Sequence, residues 1–219
     1  MAAYNARLRY CKTGKAKYIS HLDLMSTMRR ALLRAGLKLA YSEGFNPHPH
    51  MSVALPLQVG CESDCELMDV GMEGDFCFES LPGLVSSALP EGLLVTEAYK
   101  PAGKFKDIAW VEHEGSLFYD SGAVDGIAAR LEHLFSVSSI VVTKKTKRGE
   151  AELDISPHIR GISFSPAAGR VDVTASLSAQ EPSVSPSLLI SALVGDGLRP
   201  DFSAFRRTQV YDNGFTKFR

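Results

Sequence analysis

The sequence of 219 residues lacks the long apolar stretches that mark membrane proteins and secretory leaders. No run approaches the roughly 18 apolar residues that a bilayer-spanning helix requires, and residues 1–7 hold no apolar signal core. We therefore expect a cytoplasmic protein that has no membrane partner. The composition, 45% hydrophobic and 22% charged, is typical of a globular chain and excludes wholesale disorder.

Cysteine is sparse, and familiar catalytic motifs are missing. Of the four cysteines, Cys61 and Cys65 have no histidine or second cysteine pair at zinc-ligand spacing. Met68 stands where a third thiolate of an iron–sulfur motif would follow. Nucleophile-elbow, zinc-protease, Walker and dinucleotide-binding patterns do not occur. The sequence therefore predicts no metal and no cofactor, and it favours a protein that is not an enzyme.

Charge is unevenly distributed although the net charge is only −1. Residues 1–50 carry nine Lys and Arg against two acids, whereas residues 51–100 carry nine acids against Lys100 alone. This segregation predicts either a basic and an acidic face, or two neighbouring segments that neutralise each other.

The hydrophobic pattern predicts an α+β fold with the same element order in both halves. Strand periodicity or β-rich composition marks residues 4–11, 37–42, 51–57, 63–71, 93–99, 108–119, 138–145, 149–155, 160–165, 170–178 and 205–211. Helical signals mark residues 20–35, 79–89, 122–134 and 183–194. We expect two tandem ferredoxin-like (βαββαβ-type) units, residues 1–101 and 102–219, each a mostly antiparallel sheet with its helices on one face.

The first candidate site is the basic turn at residues 12–17 and the helix that follows it. Lys12, Lys15 and Lys17 surround a glycine just before a helix capped by Ser20. Lysines beside free helix N–H groups outline an anion site, and a solvated turn is the structural alternative.

The first helix adds His21 and three arginines to this site. His21, in the first turn, is a candidate general base or phosphate contact, or a partly buried histidine bonded to the backbone. Arg30 and Arg34 lie opposite the apolar stripe, with Arg29 to the side. We expect these arginines to contact phosphates.

The second candidate site is the loop of residues 41–50, Y-S-E-G-F-N-P-H-P-H. A glycine that can adopt positive φ and two prolines predict a stiff turn that presents an aromatic side chain. Such a loop could stack on and hydrogen-bond an unpaired base, or it could be a tight crossover packed on the sheet. Its candidate binding residues are Ser42, Gly44, Phe45, Asn46, Pro47 and His48.

The motifs of these two sites closely resemble a bacterial family of unknown function. They read K-x-G-K-A-K-Y-I-S-H-L-D-L-M, R-R-A-L-L-R-A-G-L, Y-S-E-G-F-N-P-H-P-x-x-S-V-A-L-P-L-x-V-G and S-D-C-E-L-M-D, and L-D-I-S-P-H-I and F-R-R-T-Q are weaker signatures. Family members are described as radical SAM-linked proteins, fused to a radical SAM protein or separate from it. Because this chain lacks the C-x-x-x-C-x-x-C motif, the resemblance implies an accessory partner of that enzyme.

A more distant similarity is to the CRISPR RNA-processing endoribonucleases of the RAMP superfamily. They too are tandem ferredoxin-like units with an early histidine at a helix start, which would be His21 here. However, no clear glycine-rich loop stands near the C-terminus, where the nearest stretch is Asp212–Phe215.

Three functional hypotheses follow. The first is a non-catalytic module that binds RNA or presents substrate to a radical SAM partner, with the turn, the first helix and the loop forming one face. The second is a pure protein-docking module. The third is a metal-independent endoribonuclease that uses His21.

Overall fold

The computed structural model describes residues 4–120, 126–146, 149–195 and 197–219. These residues fall into two compact units, one running to Phe105 and including Arg219, the other spanning Lys106–Phe218. The division lies a few residues beyond the boundary predicted after residue 101. The secondary structure is mixed α+β with four α-helices and mostly antiparallel sheet among the described residues. Within this part of the chain, no helix is long and apolar enough to cross a bilayer.

The first unit is an antiparallel sheet with strand order β6-β1-β4-β3. Its elements are β1 (Ala6–Lys12), α1 (His21–Arg34), β2 (Lys38–Leu39), β3 (Met51–Val53), β4 (Glu62–Val70), β5 (Met72–Glu73), α2 (Leu81–Ser87) and β6 (Leu93–Tyr99). The short strands β2 and β5 pair separately. A 3₁₀ helix (Gly14–Tyr18) joins β1 to α1.

The second unit has strand order β10-β11-β7-β12, again antiparallel. Its elements are β7 (Ile108–Phe118), α3 (Ile127–Ser136), β8 (Val141–Thr146), β9 (Gly149–Asp154), β10 (Ile159–Ala167), β11 (Arg170–Ser178), α4 (Pro186–Gly195) and β12 (Phe202–Asp212). Strands β8 and β9 form a separate hairpin. The predicted start of the third helix, at 122–125, lies outside the described residues.

Helix α1 shows why its sequence folds locally as predicted. The Ser20 hydroxyl accepts a hydrogen bond from the Asp23 N–H at 3.2 Å, which caps the first turn. Leu24, Met28 and Leu32 are buried at helical spacing and pack with the apolar face of β1. The helix therefore fixes its polar face, including its arginines, towards solvent.

Three predicted elements in the first unit differ from the structure. Of the strand predicted at 37–42, only β2 forms. Tyr41 is not part of a continuous strand, because it makes only an isolated bridge to Pro49. The strand predicted at 51–57 ends at Val53, since Leu55 adopts a φ of +43° and the next residue is a proline without an N–H. The turn predicted at 12–17 is instead the end of β1 followed by the 3₁₀ helix.

Candidate functional site

The 42–48 loop is closed at its base by backbone and side-chain hydrogen bonds. The Ser42 N–H donates to the His48 carbonyl oxygen at 2.8 Å, and the Ser42 hydroxyl accepts from the His48 N–H at 2.9 Å. Below this closure the His50 N–H donates to the Ala40 carbonyl oxygen at 2.8 Å. Gly71, directly after β4, accepts from the Ala40 N–H at 2.9 Å and donates its N–H to the His50 carbonyl oxygen at 2.8 Å. Both ends of the loop are therefore anchored to the sheet of the first unit.

Phe45 lies at the tip of this loop with its side chain entirely in solvent, at 110% relative exposure. Gly44, immediately before it, adopts a φ of +119° that L-residues with side chains rarely take. Asn46 and His48 are also exposed. An aromatic ring and two side chains that can form hydrogen bonds are therefore exposed on the same loop, which agrees with the first of the two alternatives for this loop and not with a crossover packed on the sheet.

An acidic side chain lies at the basic turn, where the lysines predict an anion site. The Gly14 N–H donates to the Glu62 carboxylate at 3.1 Å, and the Lys17 ammonium lies 3.6 Å from the same oxygen. The carboxylate of Glu62 thus partners one backbone N–H and one lysine of this turn. Of the three lysines only Lys15 is exposed, since Lys17 is half-buried and Lys12 is buried.

Lys12 lies elsewhere than predicted, because it is the last residue of β1 and only 2% exposed. Its ammonium donates to the Ile19 carbonyl oxygen at 3.1 Å. Burial lowers the pKa of the Lys12 ammonium, while the nearby Glu66 carboxylate raises it. Lys12 therefore supports the chain before α1 and does not face a ligand.

His21 is exposed at the first residue of α1. None of the described residues hydrogen-bonds to its ring, so neither the partly buried histidine nor an oriented general base is observed. A general base for ribose attack needs a fixed ring and a second group for the leaving oxygen.

The three arginines of α1 are exposed on its polar face. Arg30 and Arg34 line an open groove of about 650 Å³ together with Thr27 and residues 87–90. The Arg34 guanidinium donates to the Ala88 carbonyl oxygen at 2.6 Å and so also ties α1 to the segment after α2. Arg29 and Arg30 make no such hydrogen bond to a described residue, so their charges are the ones on this face that a ligand could use.

The predicted single face is divided in two. Ala6 at the start of β1 pairs with Val70, and Met51, just after the 42–48 loop, pairs with Val70 as well. The loop therefore lies where β1 begins, whereas the basic turn lies where it ends, beyond Lys12. A strand of 7 residues separates them, which is about 20 Å. The loop and the basic turn cannot contact one small ligand together.

Some side chains suited to binding were missed at the sequence level. In the second unit, the Arg160 guanidinium lies over the ring of Phe215, and that ring stacks on Tyr211. Arg160 is distant in sequence from the two rings, and the strand irregularities that bring it to them have no periodic signal. The D-N-G-F stretch was the only visible hint, because it predicts a turn after the last strand.

The described residues contain no group of three or more His, Cys, Asp or Glu side chains that could hold a metal ion. Their four cysteines are all free thiols.

The chain belongs to a family of uncharacterized proteins conserved in bacteria (DUF2344), whose model matches residues 5–186. No curated protein matches it.

A chain in the crystal structure of a Cbf5-Nop10-Gar1 complex is similar over 94% of this chain, with 9% sequence identity and a TM-score of 0.55. The match covers 49% of that chain, so this protein spans about half its length. The likeness shows the fold alone. An unknown protein from Galdieria sulphuraria aligns over 93% of this chain and 96% of its own at 12% identity, but its TM-score of 0.27 carries no argument.

Proposed function

We propose that this protein is a non-catalytic RNA-binding module, and that it binds unpaired RNA with the 42–48 loop and the arginine face of α1. The full exposure of Phe45 on a hydrogen-bonded loop carries the proposal. A phenylalanine ring that is exposed to water contributes nothing to the hydrophobic core. It is well placed, however, to stack on a base, an interaction worth about 1–3 kcal/mol.

The surroundings of Phe45 suit RNA in two further respects. Asn46 and His48 offer hydrogen-bonding groups next to the ring, which single-stranded recognition uses to read base edges. Arg29 and Arg30 are exposed on α1, whose chain leads through β2 directly into the loop. Their positive charge would attract the phosphates that flank a stacked base.

A radical SAM enzyme is the partner that we propose, on the basis of the family resemblance. The chain has no three-cysteine cluster motif of its own, so it would act by holding RNA for the partner's chemistry. In the cell the pair would work in the cytoplasm.

We also interpret each unit as ferredoxin-like. When the separately paired strands β2, β5, β8 and β9 are left out, both units run β-α-β-β-α-β. The strand orders β6-β1-β4-β3 and β12-β7-β11-β10 then correspond element by element. The hairpin of β8 and β9 is an insertion in the second unit. Single-strand RNA readers often use sheets of this type.

The test is binding of a labelled single-stranded 20-mer RNA by fluorescence anisotropy between 25 and 300 mM KCl. We expect affinity to fall as salt rises, because phosphate contacts release counterions. Phe45→Ala should weaken binding about 5- to 100-fold, as expected for the loss of one stacked base. Arg29→Glu/Arg30→Glu should weaken binding and flatten the salt dependence.

Matched control variants distinguish the loss of a specific RNA site from a general effect of surface substitutions on affinity. Leu22→Ala removes an apolar side chain that is 78% exposed, and Lys106→Glu/Arg199→Glu reverses two exposed charges elsewhere. Neither control should change affinity by more than about twofold, since surface substitutions away from a site have small effects. If the wild-type protein does not bind RNA even at 25 mM KCl, the proposal is wrong.

A second candidate function is docking to an acidic surface of the partner enzyme. It is favoured by large apolar side chains exposed near the start of α1, where Tyr18 is 65% and Leu22 78% exposed, with Lys15 beside them. Exposed apolar groups near cations suit a partner of mixed apolar and acidic character. Co-purification of a radical SAM protein that resists ribonuclease and is lost in Leu22→Glu would support docking.

The endoribonuclease hypothesis rests on His21 alone. It predicts RNA fragments with 2′,3′-cyclic phosphate ends that disappear in His21→Ala. Intact RNA after incubation with the wild-type protein would contradict it.

A further inference from the structure

Strand β10 carries a bulge that frees one residue from the regular ladder. Ile159 pairs with Leu177, but Gly161 pairs with the adjacent Ser176. Arg160, between them, is the extra residue. Bulges of this kind redirect a side chain and are frequent beside binding sites.

The Arg160 guanidinium lies against two aromatic rings of the same unit. Its central carbon is 4.4 Å from the centroid of Phe215 and 5.7 Å from that of Trp110. Phe215 in turn stacks on Tyr211, with centroids 4.2 Å apart and an angle of 8° between the planes. Because Tyr211 covers one face of Phe215, the guanidinium occupies the other face.

The backbone holds Phe215 in an unfavourable conformation to make this stack. Phe215 has a φ of +60°, in the left-handed region that normally favours glycine. Hydrogen bonds of Asp212 close the turn, since its carbonyl oxygen accepts from the Phe215 N–H at 3.0 Å and its carboxylate from the Thr216 N–H at 2.9 Å. Strain of this type is characteristic of sites whose geometry is set in advance.

The hydrogen-bonding edge of the guanidinium is available. Arg160 is exposed, and no described residue accepts a hydrogen bond from its side chain. The Glu112 carboxylate on the neighbouring strand accepts from the hydroxyls of Thr208 at 3.0 Å and Tyr211 at 3.3 Å. A guanidinium that lies beside aromatic rings and has no hydrogen-bond acceptor among the described residues can bind an oxyanion through two hydrogen bonds.

The cluster lies on the sheet face that points away from the apolar core of the second unit. Along β7, Val111 and His113 are buried whereas Trp110 and Glu112 are partly exposed. Trp110 pairs with Tyr211 across the strands, so the two rings share the more open face. Aromatic side chains on such a face are a common platform for unpaired bases.

We propose that Arg160, Trp110 and Phe215 form a second RNA contact, in which Arg160 binds a phosphodiester group and Trp110 stacks on the adjoining base. This inference rests on the proposed RNA-binding function and adds a site in the second unit. The combination of a pre-positioned guanidinium with a partly exposed indole favours a nucleotide over a plain carboxylate, which would use the cation but not the ring.

Trp110 is the only tryptophan of the chain, so its fluorescence reports this site directly. We would titrate an unlabelled four-nucleotide RNA into the full-length protein at 25 mM KCl and follow the emission. We expect saturable quenching, weakened at least fivefold in Arg160→Ala and in Arg160→Lys, because lysine keeps the charge but cannot stack or bind in two-pronged fashion. Arg170→Ala, which removes an arginine paired with Asp172, should leave the quenching unchanged.

Phe45→Ala separates this inference from the proposed function. In that variant the four-nucleotide quenching of Trp110 should persist while the 20-mer binds more weakly. If the 20-mer binds wild-type protein but Trp110 is not quenched, or Arg160→Lys binds like wild type, the second contact is wrong and the first survives. If no RNA binds at all, the proposed function fails. Quenching by a glutamate-rich peptide but not by RNA would overturn the site in favour of an acidic protein ligand.

Discussion

Arg7 of β1 and Asp69 of β4 form a buried, two-pronged ion pair, with Nε–Oδ1 at 2.6 Å and Nη2–Oδ2 at 2.8 Å. The same guanidinium donates to the Gly103 carbonyl oxygen at 2.9 Å and lies 4.5 Å from the centroid of the Phe105 ring. One buried cation thus joins two central strands to the segment that closes the first unit.

Removing one partner of this ion pair should strongly destabilise the folded protein. Asp69→Ala leaves a buried guanidinium without its counter-charge, and we expect a loss of about 3–5 kcal/mol in the free energy of unfolding. Glu97→Ala is the matched control, because its partner Arg219 is 63% exposed and such pairs contribute under about 1 kcal/mol. Urea titrations of both variants measure the difference, and equal small losses would contradict the role of Arg7.

Gly92 allows β6 to begin against the 3₁₀ helix. Its φ is +87°, and a Cβ there would lie 2.4 Å from the Thr13 carbonyl oxygen and 2.9 Å from the Ala16 Cβ. We expect Gly92→Ala to destabilise the fold by about 2–4 kcal/mol, from strained backbone plus overpacking. Gly36 has a φ of +78° but open space around it. Gly36→Ala should therefore destabilise the fold only through backbone strain, by about 1–2 kcal/mol. Thermal melts that rank the two variants the other way would refute this reading.

Buried His113 should make stability depend on pH. Burial, reinforced by the neighbouring Arg207, lowers the pKa of His113 to about 3, from 6.5. Between these values the unfolded chain binds a proton that the folded chain does not, so this contribution is present above pH 6.5 and is lost as pH falls towards 3. Urea titrations at pH 7.5 and 5.0 should show wild type losing stability on acidification. His113→Gln should lose distinctly less, and an equal loss in both proteins would contradict the assignment.

The closure of the 42–48 loop should matter for binding more than for folding. Ser42→Ala removes the hydroxyl that accepts from the His48 N–H, leaving the loop freer before it meets RNA. We expect about a 2- to 10-fold loss of affinity, since ordering a segment on binding costs free energy, and little change in melting temperature. Ser80→Ala, which removes an exposed hydroxyl bonded to the Cys77 carbonyl oxygen, should change neither. Unaltered affinity in Ser42→Ala would show that the closed loop is not needed.

The sequence predicts well those features that local chemistry determines. The Ser20 cap and Gly36, with φ +78°, bound α1 where expected, and β6 and β11 have the predicted limits. The positive φ of Gly44 follows from its residue type, whereas the exposure of Phe45 follows from its place in a loop that two prolines stiffen.

Features that depend on distant pairing were not predictable. Lys12 is buried because β1 extends to this residue and its ammonium donates to the Ile19 carbonyl oxygen. Glu62 reaches the basic turn from 48 positions away in the chain. The position of Arg160 depends on a bulge that no periodicity reveals. Separation of the basic turn from the loop became visible only once the register of β1 and β4 was known.

The most direct test of the central claim is to locate bound RNA on the protein. We would cross-link a 4-thiouridine-substituted 20-mer to the full-length chain under ultraviolet light and identify the linked peptides by mass spectrometry. The proposed function predicts a cross-link in the peptide that contains Phe45, abolished by excess unlabelled RNA and reduced in Ser42→Ala. Cross-links confined to residues 12–22, or none at the 42–48 loop despite measurable binding, would contradict it.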